Sequence, residues 1–505
     1  METLPAAYTA LVERLKELAV LRSCASLLSW DEQTHLPPHG AEHRANQLSL
    51  LAGLCHDRAT DPAIGDLLAQ LDDVQALGGH AAPVAANVRE ARRNYERSTR
   101  LPRRLVEELS RVCTLSQQAW VEARHESNFA KFQPWLTQMI DLKREEADAL
   151  GSSTGVRYDA LLDDYEPGAT VAQIQGAFSP LRETLVELVS AIRSSGVQPD
   201  ISILERHYPT DRQKSLSLDA ARMIGFDFQA GRLDIAAHPF CSSIGPGDCR
   251  MTTRYNEYHF SGSLFGTLHE SGHGIYEQGL STADFGLGTG EACSLGIHES
   301  QSRMWENLVG RSLAFWEFFY PQTQSAFPDA LGNVSLQQFH QVINDVRPSW
   351  IRVEADEVTY NLHIMLRFEI EQALISGALS VADVPGAWND AFSRYFGMTP
   401  PNDALGCLQD VHWGAGLIGY FPTYSLGNMY ASQFFEKANA DLGDLNEQFR
   451  RGEFHPLREW LKTNIHSHGK RYHAPQLVEV VTGQPLSSEP LLRHLRGKFG
   501  QLYRL

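Results

Sequence analysis

His269 and His273 stand four residues apart in Leu268-His269-Glu270-Ser271-Gly272-His273-Gly274, where Leu264, Phe265, Leu268 and Ile275 recur at helical spacing. An H-E-x-x-H run demands a helix, because only that periodicity brings both imidazoles onto one face where they can share a metal ion. Glu270 follows one step round, near enough to bond a metal-held water without binding the metal itself. The set matches what a zinc hydrolase requires: two neutral nitrogen ligands, an open coordination position, and a carboxylate that takes a proton from water. Two histidines on a helix can equally be incidental, so the rest of the chain has to decide.

With 505 residues, 43% of them hydrophobic, the chain is long enough to bury a large core. Its net charge of −17, from 61 acidic and 44 basic side chains, disfavours nucleic acid and anionic membranes as partners. The basic residues cluster no further than pairs such as Arg103-Arg104 and Lys470-Arg471. Seven cysteines, an odd number with no C-x-x-C pair, read as buried thiols in a reducing compartment. Met1 to Leu21 interleaves Glu13, Arg14, Lys16 and Glu17 with its apolar residues, so no signal peptide is expected, and nothing approaches a membrane span. Cytoplasmic peptide turnover is the expectation.

Helical periodicity runs through most of the chain. Helices are expected over 8–29, 40–56, 61–77, 83–98, from Pro102 onward, between Pro134 and Leu150, and over 171–195. Between 200 and 262 the texture changes, with more Pro, Gly and Thr; Cys249 to Phe260 alternates like a strand, and 228–236 offers another. A small antiparallel sheet is therefore expected beside the H-E-x-x-H helix, with an edge able to pair with an extended peptide. Helices return over 291–309, 312–325, 336–345, 350–376, 382–396, 425–450 and 455–466. With no linker rich in Pro, Gly or Ser, the fold class is mainly α: one large helical unit with a minor sheet. Three stretches organise it, a helical N-terminal lobe over 1–195, the sheet and catalytic helices over 196–430, and C-terminal helices over 431–505.

A catalytic zinc needs a third protein ligand. Glu299, inside a helical pattern with Leu295, Met304 and Leu308, is favoured over Glu291, which sits where a carboxylate would cap a helix start. A third histidine six residues after His273 is absent, since that position is Gly279. Gly266, Gly272 and Gly274 each weaken the motif helix by about 1 kcal/mol relative to alanine. Close approach of another backbone or of substrate would explain them, and so would ordinary helix packing.

Further blocks extend along the chain: Ser29-Trp-Asp31, His238-Pro-Phe240, Asp248-Cys-Arg-Met-Thr-Thr-Arg254, His298-Glu-Ser-Gln301, Ile351-Arg-Val-Glu-Ala-Asp356, Gly406-Cys-Leu-Gln-Asp-Val-His-Trp413 and Tyr420-Phe-Pro-Thr-Tyr-Ser-Leu-Gly427. With His269-Glu270-Ser-Gly-His273 they make the chain resemble the carboxypeptidase Taq family of zinc metallocarboxypeptidases over nearly its whole length. That resemblance implies His269, His273 and Glu299 as ligands of Zn²⁺, or of Co²⁺ in its place, and Glu270 as general base. It also implies a helical, two-lobed fold around a deep groove, and commonly a homodimer. Cys249 and Met251 depart from the aliphatic residues often found in their block, and no ligand is lost.

Peptide hydrolysis also needs donors for the developing oxyanion. By the resemblance His412 and Tyr424 fill that role; the plain alternatives are a core histidine bonded to Asp410 and a packed tyrosine. A free C-terminal carboxylate is best read by an arginine fork. Arg352, read as starting a long helix, fits that need, against the alternative of an ion pair with Asp356. His238 would line the same groove, and Arg250 and Arg254 are weaker candidates. A broad-specificity zinc carboxypeptidase is thus expected, with a zinc oligoendopeptidase or peptidyl-dipeptidase as alternative. A helical binding protein with a vestigial site would require a missing ligand or base, and Glu270 and Glu299 are both present.

Overall fold

The computed structural model describes residues 5–73, 77–236 and 239–505, and among them helices dominate. The chain forms two units, each drawn from three separate stretches. One comprises Met1–Thr99, Pro199–Ile343 and Phe434–Pro485; the other comprises Arg100–Gln198, Asn344–Gln433 and Leu486–Leu505. Strands occur only in the first unit among the described residues.

The sheet has three strands, β1 (Gly231–Ile235), β2 (Cys241–Gly245) and β3 (Asp248–Thr253), in the order β1-β3-β2. It is mixed, which corrects the antiparallel expectation: β2 pairs antiparallel with β3, but β1 pairs parallel, Gly231 opposite Cys249 and Ile235 opposite Thr253. Alternation along β3 encodes which side chains face inward, not the direction of the neighbouring strand. Residues 200–262 also hold a helix the periodicity missed, Thr210–Ile224. Its buried face includes Gln213, Ser217, Ala220 and Ala221, small or polar residues that blur an apolar stripe. Buried Gln213 is a tie: its amide donates to the carbonyls of Tyr208 and Asn256, and its oxygen accepts from Ser263 at 2.6 Å.

Ser263 lies in the motif helix, Phe260–Gly279, which is buried on most of its circumference. Of Gly266, Gly272 and Gly274, neighbours approach closely at two. A Cβ on Gly272 would stand 2.5 Å from the carbonyl oxygen of Gln301 and 2.6 Å from Cα of Ser302, the backbone of the helix Leu295–Arg303. A Cβ on Gly274 would meet Phe226 at 2.5 Å. At Gly266 nothing comes nearer than 3.8 Å. The glycines thus divide: Gly272 and Gly274 serve packing, and Gly266 has ordinary space. Gly272→Ala is expected to cost about 1–3 kcal/mol through overpacking, whereas Gly266→Ala should gain up to about 1 kcal/mol in helix propensity. Urea unfolding of the two variants beside the parent checks the opposite signs.

Other boundaries moved. The expected helix over 61–77 ends at Ala69. The one over 425–450 is two, Pro422–Leu442 and Leu445–Arg450, parted at Gly443, whose φ of 82° a helix cannot accommodate. In the second unit Arg352 starts no long helix: it lies in a 3₁₀ turn, Arg352–Glu354, and the helix begins at Tyr360.

Candidate active site

Within the first unit, His269, His273 and Glu299 each bring one ligand atom to a common point, all within 4.8 Å of one another. Glu299 Oε2 is 3.6 Å from His269 Nε2 and 3.4 Å from His273 Nε2. Tetrahedral coordination with bonds of about 2.0–2.1 Å places neighbouring ligand atoms about 3.4 Å apart, which both carboxylate–imidazole distances match closely. Glu291, the other carboxylate considered, pairs instead with Lys470 Nζ at 2.5 Å.

The opposite ring nitrogens are held as a metal site requires. His269 Nδ1 lies 2.9 Å from Glu306 Oε2; a carboxylate accepts, so Nδ1 carries the proton and Nε2 keeps its lone pair for a metal. For His273 the carboxylate acts through an intermediary. His298 Nε2 donates to Glu277 Oε1 at 2.8 Å, which leaves His298 Nδ1 as acceptor for His273 Nδ1–H. With the Nδ1 atoms so engaged, both imidazoles turn Nε2 toward the same point, and in their neutral form leave a lone pair there.

Arg303 ties the carboxylates together, donating from Nε to Glu299 Oε1 at 2.7 Å and reaching Glu306 Oε2 at 3.5 Å. Arg311, over the Phe265 ring at 3.9 Å, reaches Glu306 Oε1 at 3.4 Å. Glu306 sits in a π turn, Met304–Val309, continuing the helix that carries Glu299; such turns re-aim side chains at functional sites. Neither Glu306, Glu277, Arg303 nor the role of His298 was read from the sequence. Spacing offered a signal: 269, 273 and 277 form a stripe of step four, and 299, 303 and 306 share a second face. Glu306→Gln is expected to weaken metal affinity about 10–100-fold with the fold intact, read by competition against a chromophoric chelator.

Glu270 is buried, and burial pushes its carboxyl up to about 7, with the charges of Glu299 and Glu306 adding to the rise and His269 opposing it. A carboxylate with that affinity for a proton suits a general base at neutral pH. Burial alone would raise the Glu277 carboxyl, but the hydrogen bond and charge of His298, with Ser243 and His273, together hold it below its ordinary value.

The remaining site residues lie in the second unit, apart from His238, which falls outside the described residues. Arg352 is 6% exposed and pairs with Asp410, not Asp356: Nε and one Nη donate to Asp410 Oδ1 at 3.1 and 2.8 Å. Its other Nη donates to Tyr360 at 3.2 Å. Asp356 instead accepts from Thr359 and the amide of Val358. His412 Nδ1 is 3.9 Å from Asp410 Oδ1, too far for a hydrogen bond; the ring stacks on Phe421 at 4.4 Å, and Nε2 is 3.5 Å from the Tyr424 hydroxyl. Burial lowers His412 to about 4, so it is neutral at neutral pH. In the first unit Arg250 pairs with Asp248 and lies over Trp30 at 4.3 Å, a structural position.

A family model described as the carboxypeptidase Taq (M32) metallopeptidase matches residues 10–499. The chain belongs to that family. It is 47% identical to the thermostable carboxypeptidase 1 of Thermus thermophilus over 99% of both chains, and 39% identical to carboxypeptidase 1 of Bacillus subtilis over 97% of both. The M32 carboxypeptidase structure from Deinococcus radiodurans R1 superposes with a TM-score of 0.95 at 39% identity, covering 99% of this chain and all of that one. As a carboxypeptidase Taq member the chain is a metallocarboxypeptidase, a peptide hydrolase that uses a metal. The family's metal requirement and the histidine–glutamate cluster agree. No helix among the described residues is long and apolar enough to cross a membrane.

Proposed function

We propose that the chain is a zinc carboxypeptidase of broad specificity, removing residues singly from the free C-terminus of peptides. The observation that carries zinc is the donor set, two imidazole nitrogens and one carboxylate at tetrahedral spacing, each imidazole held by a carboxylate directly or through His298. Cobalt would fit the same donors. Zinc held by His269, His273 and Glu299 would supply Lewis acidity for water and for the scissile carbonyl. Glu270 takes the proton from the attacking water and delivers it to the leaving amine. His412 and Tyr424 donate to the developing oxyanion. Arg352 reads the terminal carboxylate: fixed by Asp410 and Tyr360, it keeps two of the five N–H groups of a guanidinium. The roles of Arg352, His412 and Tyr424 rest on the family blocks around them. Cytoplasmic peptide turnover, the homodimer and a lining role for His238 belong to the same reading.

The test is digestion of one N-blocked peptide as free acid and as C-terminal amide, with Zn²⁺ added and products followed by mass spectrometry. Stepwise loss of single residues from the acid alone is expected, with KM for the acid raised in Arg352→Ala. Internal cleavage of both forms would replace this reading by an oligoendopeptidase. Loss of two residues at a time would make it a peptidyl-dipeptidase.

A further inference from the structure

Seven free thiols are present, and two of them touch: Cys241 Sγ and Cys249 Sγ are 3.6 Å apart. The register explains why. Cys241 of β2 stands opposite Met251 of β3, and Cys249 stands opposite Ser243, so the two cysteines are diagonal neighbours on one face of an antiparallel pair. A disulfide bond is about 2.05 Å long, so the sulfurs need to approach by about 1.5 Å.

Cys241 is partly exposed, and Cys249, although 3% exposed, borders a cavity of about 350 Å³ with Ser243, Gly245 and Glu277 on its wall. Cys249 also packs on the motif helix, its sulfur 3.9 Å from the carbonyl oxygen of Gly274, the residue after the ligand His273.

We propose that Cys241 and Cys249 are a reversible disulfide site, oxidised by peroxide, whose closure loosens the metal centre through Gly274. The Cys241 thiol gives up its proton and its sulfur attacks one peroxide oxygen; the O–O bond breaks and the leaving hydroxide takes that proton, giving a sulfenic acid and the first water. The Cys249 thiol then attacks the sulfenic sulfur, forming the S–S bond as the S–O bond breaks and its proton leaves with the hydroxyl as the second water. Two thiols are oxidised and one peroxide is reduced to two waters. A small thiol restores the pair through a mixed disulfide, becoming a disulfide itself. Closure draws the Cys249 sulfur toward β2 and away from Gly274, removing a contact beside His273. The hydrogen bond with Cys249, together with burial, holds the Cys241 thiol well above its ordinary value.

The full chain loaded with Zn²⁺, treated with hydrogen peroxide, alkylated and digested, provides the test. Expected are a cross-linked peptide pair containing Cys241 and Cys249, two hydrogens lighter than the sum, its reversal by dithiothreitol, and faster zinc loss to a chelator from the oxidised protein. Cys241→Ser and Cys249→Val, each checked for fold by circular dichroism, should show neither cross-link nor acceleration. Independent alkylation of both thiols after peroxide, or overoxidation without a cross-link, would overturn the site. A cross-link with unchanged zinc loss would overturn its coupling to the metal centre. A protein that holds no zinc when reduced would refute the coupling and the zinc reading together, whereas the mass of the cross-linked peptides judges the disulfide by itself.

Discussion

Glu270→Gln is expected to lower kcat/KM on a peptide acid by about 10²–10⁴-fold, the range general acid–base catalysis contributes, while leaving metal content unchanged. Gln keeps the volume of the side chain and one oxygen acceptor but has no basicity to hold a proton. The group is buried and its carboxyl is raised to about 7, which suits a base at neutral pH. It is not among the three residues whose ligand atoms converge. Elemental analysis of the purified variant beside steady-state kinetics separates the two roles. A fall in rate with full metal supports the base; loss of metal with loss of rate would move Glu270 into the metal's support, and undiminished kcat/KM would remove it from the chemistry.

Asp410→Asn is expected to destabilise the second unit by about 3–5 kcal/mol, the cost of stranding buried charge. Asp410 is shared by two buried arginines. Arg352 donates twice to Oδ1, and Arg367, fully buried over Trp388, donates twice to Oδ2 at 2.7 and 2.5 Å. Asparagine turns an amide toward one guanidinium and removes the negative charge the two arginines share, leaving two like charges in a poorly solvated place. Burial alone would raise the Asp410 carboxyl, but Arg367 and Arg352 overrule it and hold it well below the usual carboxylate range. Its stabilisation is therefore complete above the unfolded value, about 3.9, and is lost as pH falls toward the folded one. Urea denaturation across pH should show the parent losing this increment in acid while the variant lacks it throughout. A difference below about 1 kcal/mol at neutral pH would mean that water reaches the pair.

The motif helix was legible because its information is local. A step of four residues forces His269 and His273 onto one face whatever surrounds them, and the helix Leu295–Arg303 declares itself by its own periodicity before offering Glu299. The same locality explains the failures. Thr210–Ile224 hid because Gln213 and Ser217 face inward, and the bonds that satisfy Gln213 are supplied only by the folded chain. The tie between Gln213 and Ser263 spans 50 residues, and no propensity reports it.

The helical class, the grouping of His269, His273 and Glu299 and the family were readable along the chain, since these rest on short-range periodicity and on ordered blocks. Tertiary structure decided what holds the site: Glu306 behind His269, His298 and Glu277 behind His273, and Asp410, 58 positions from Arg352, as that arginine's partner. It also set β1 parallel to β3 and brought Cys241 against Cys249. The physical reason is common to all of them. Hydrogen bonds, ion pairs and thiol contacts act over a few ångströms in space, and separation along the chain does not encode that distance once the backbone has turned.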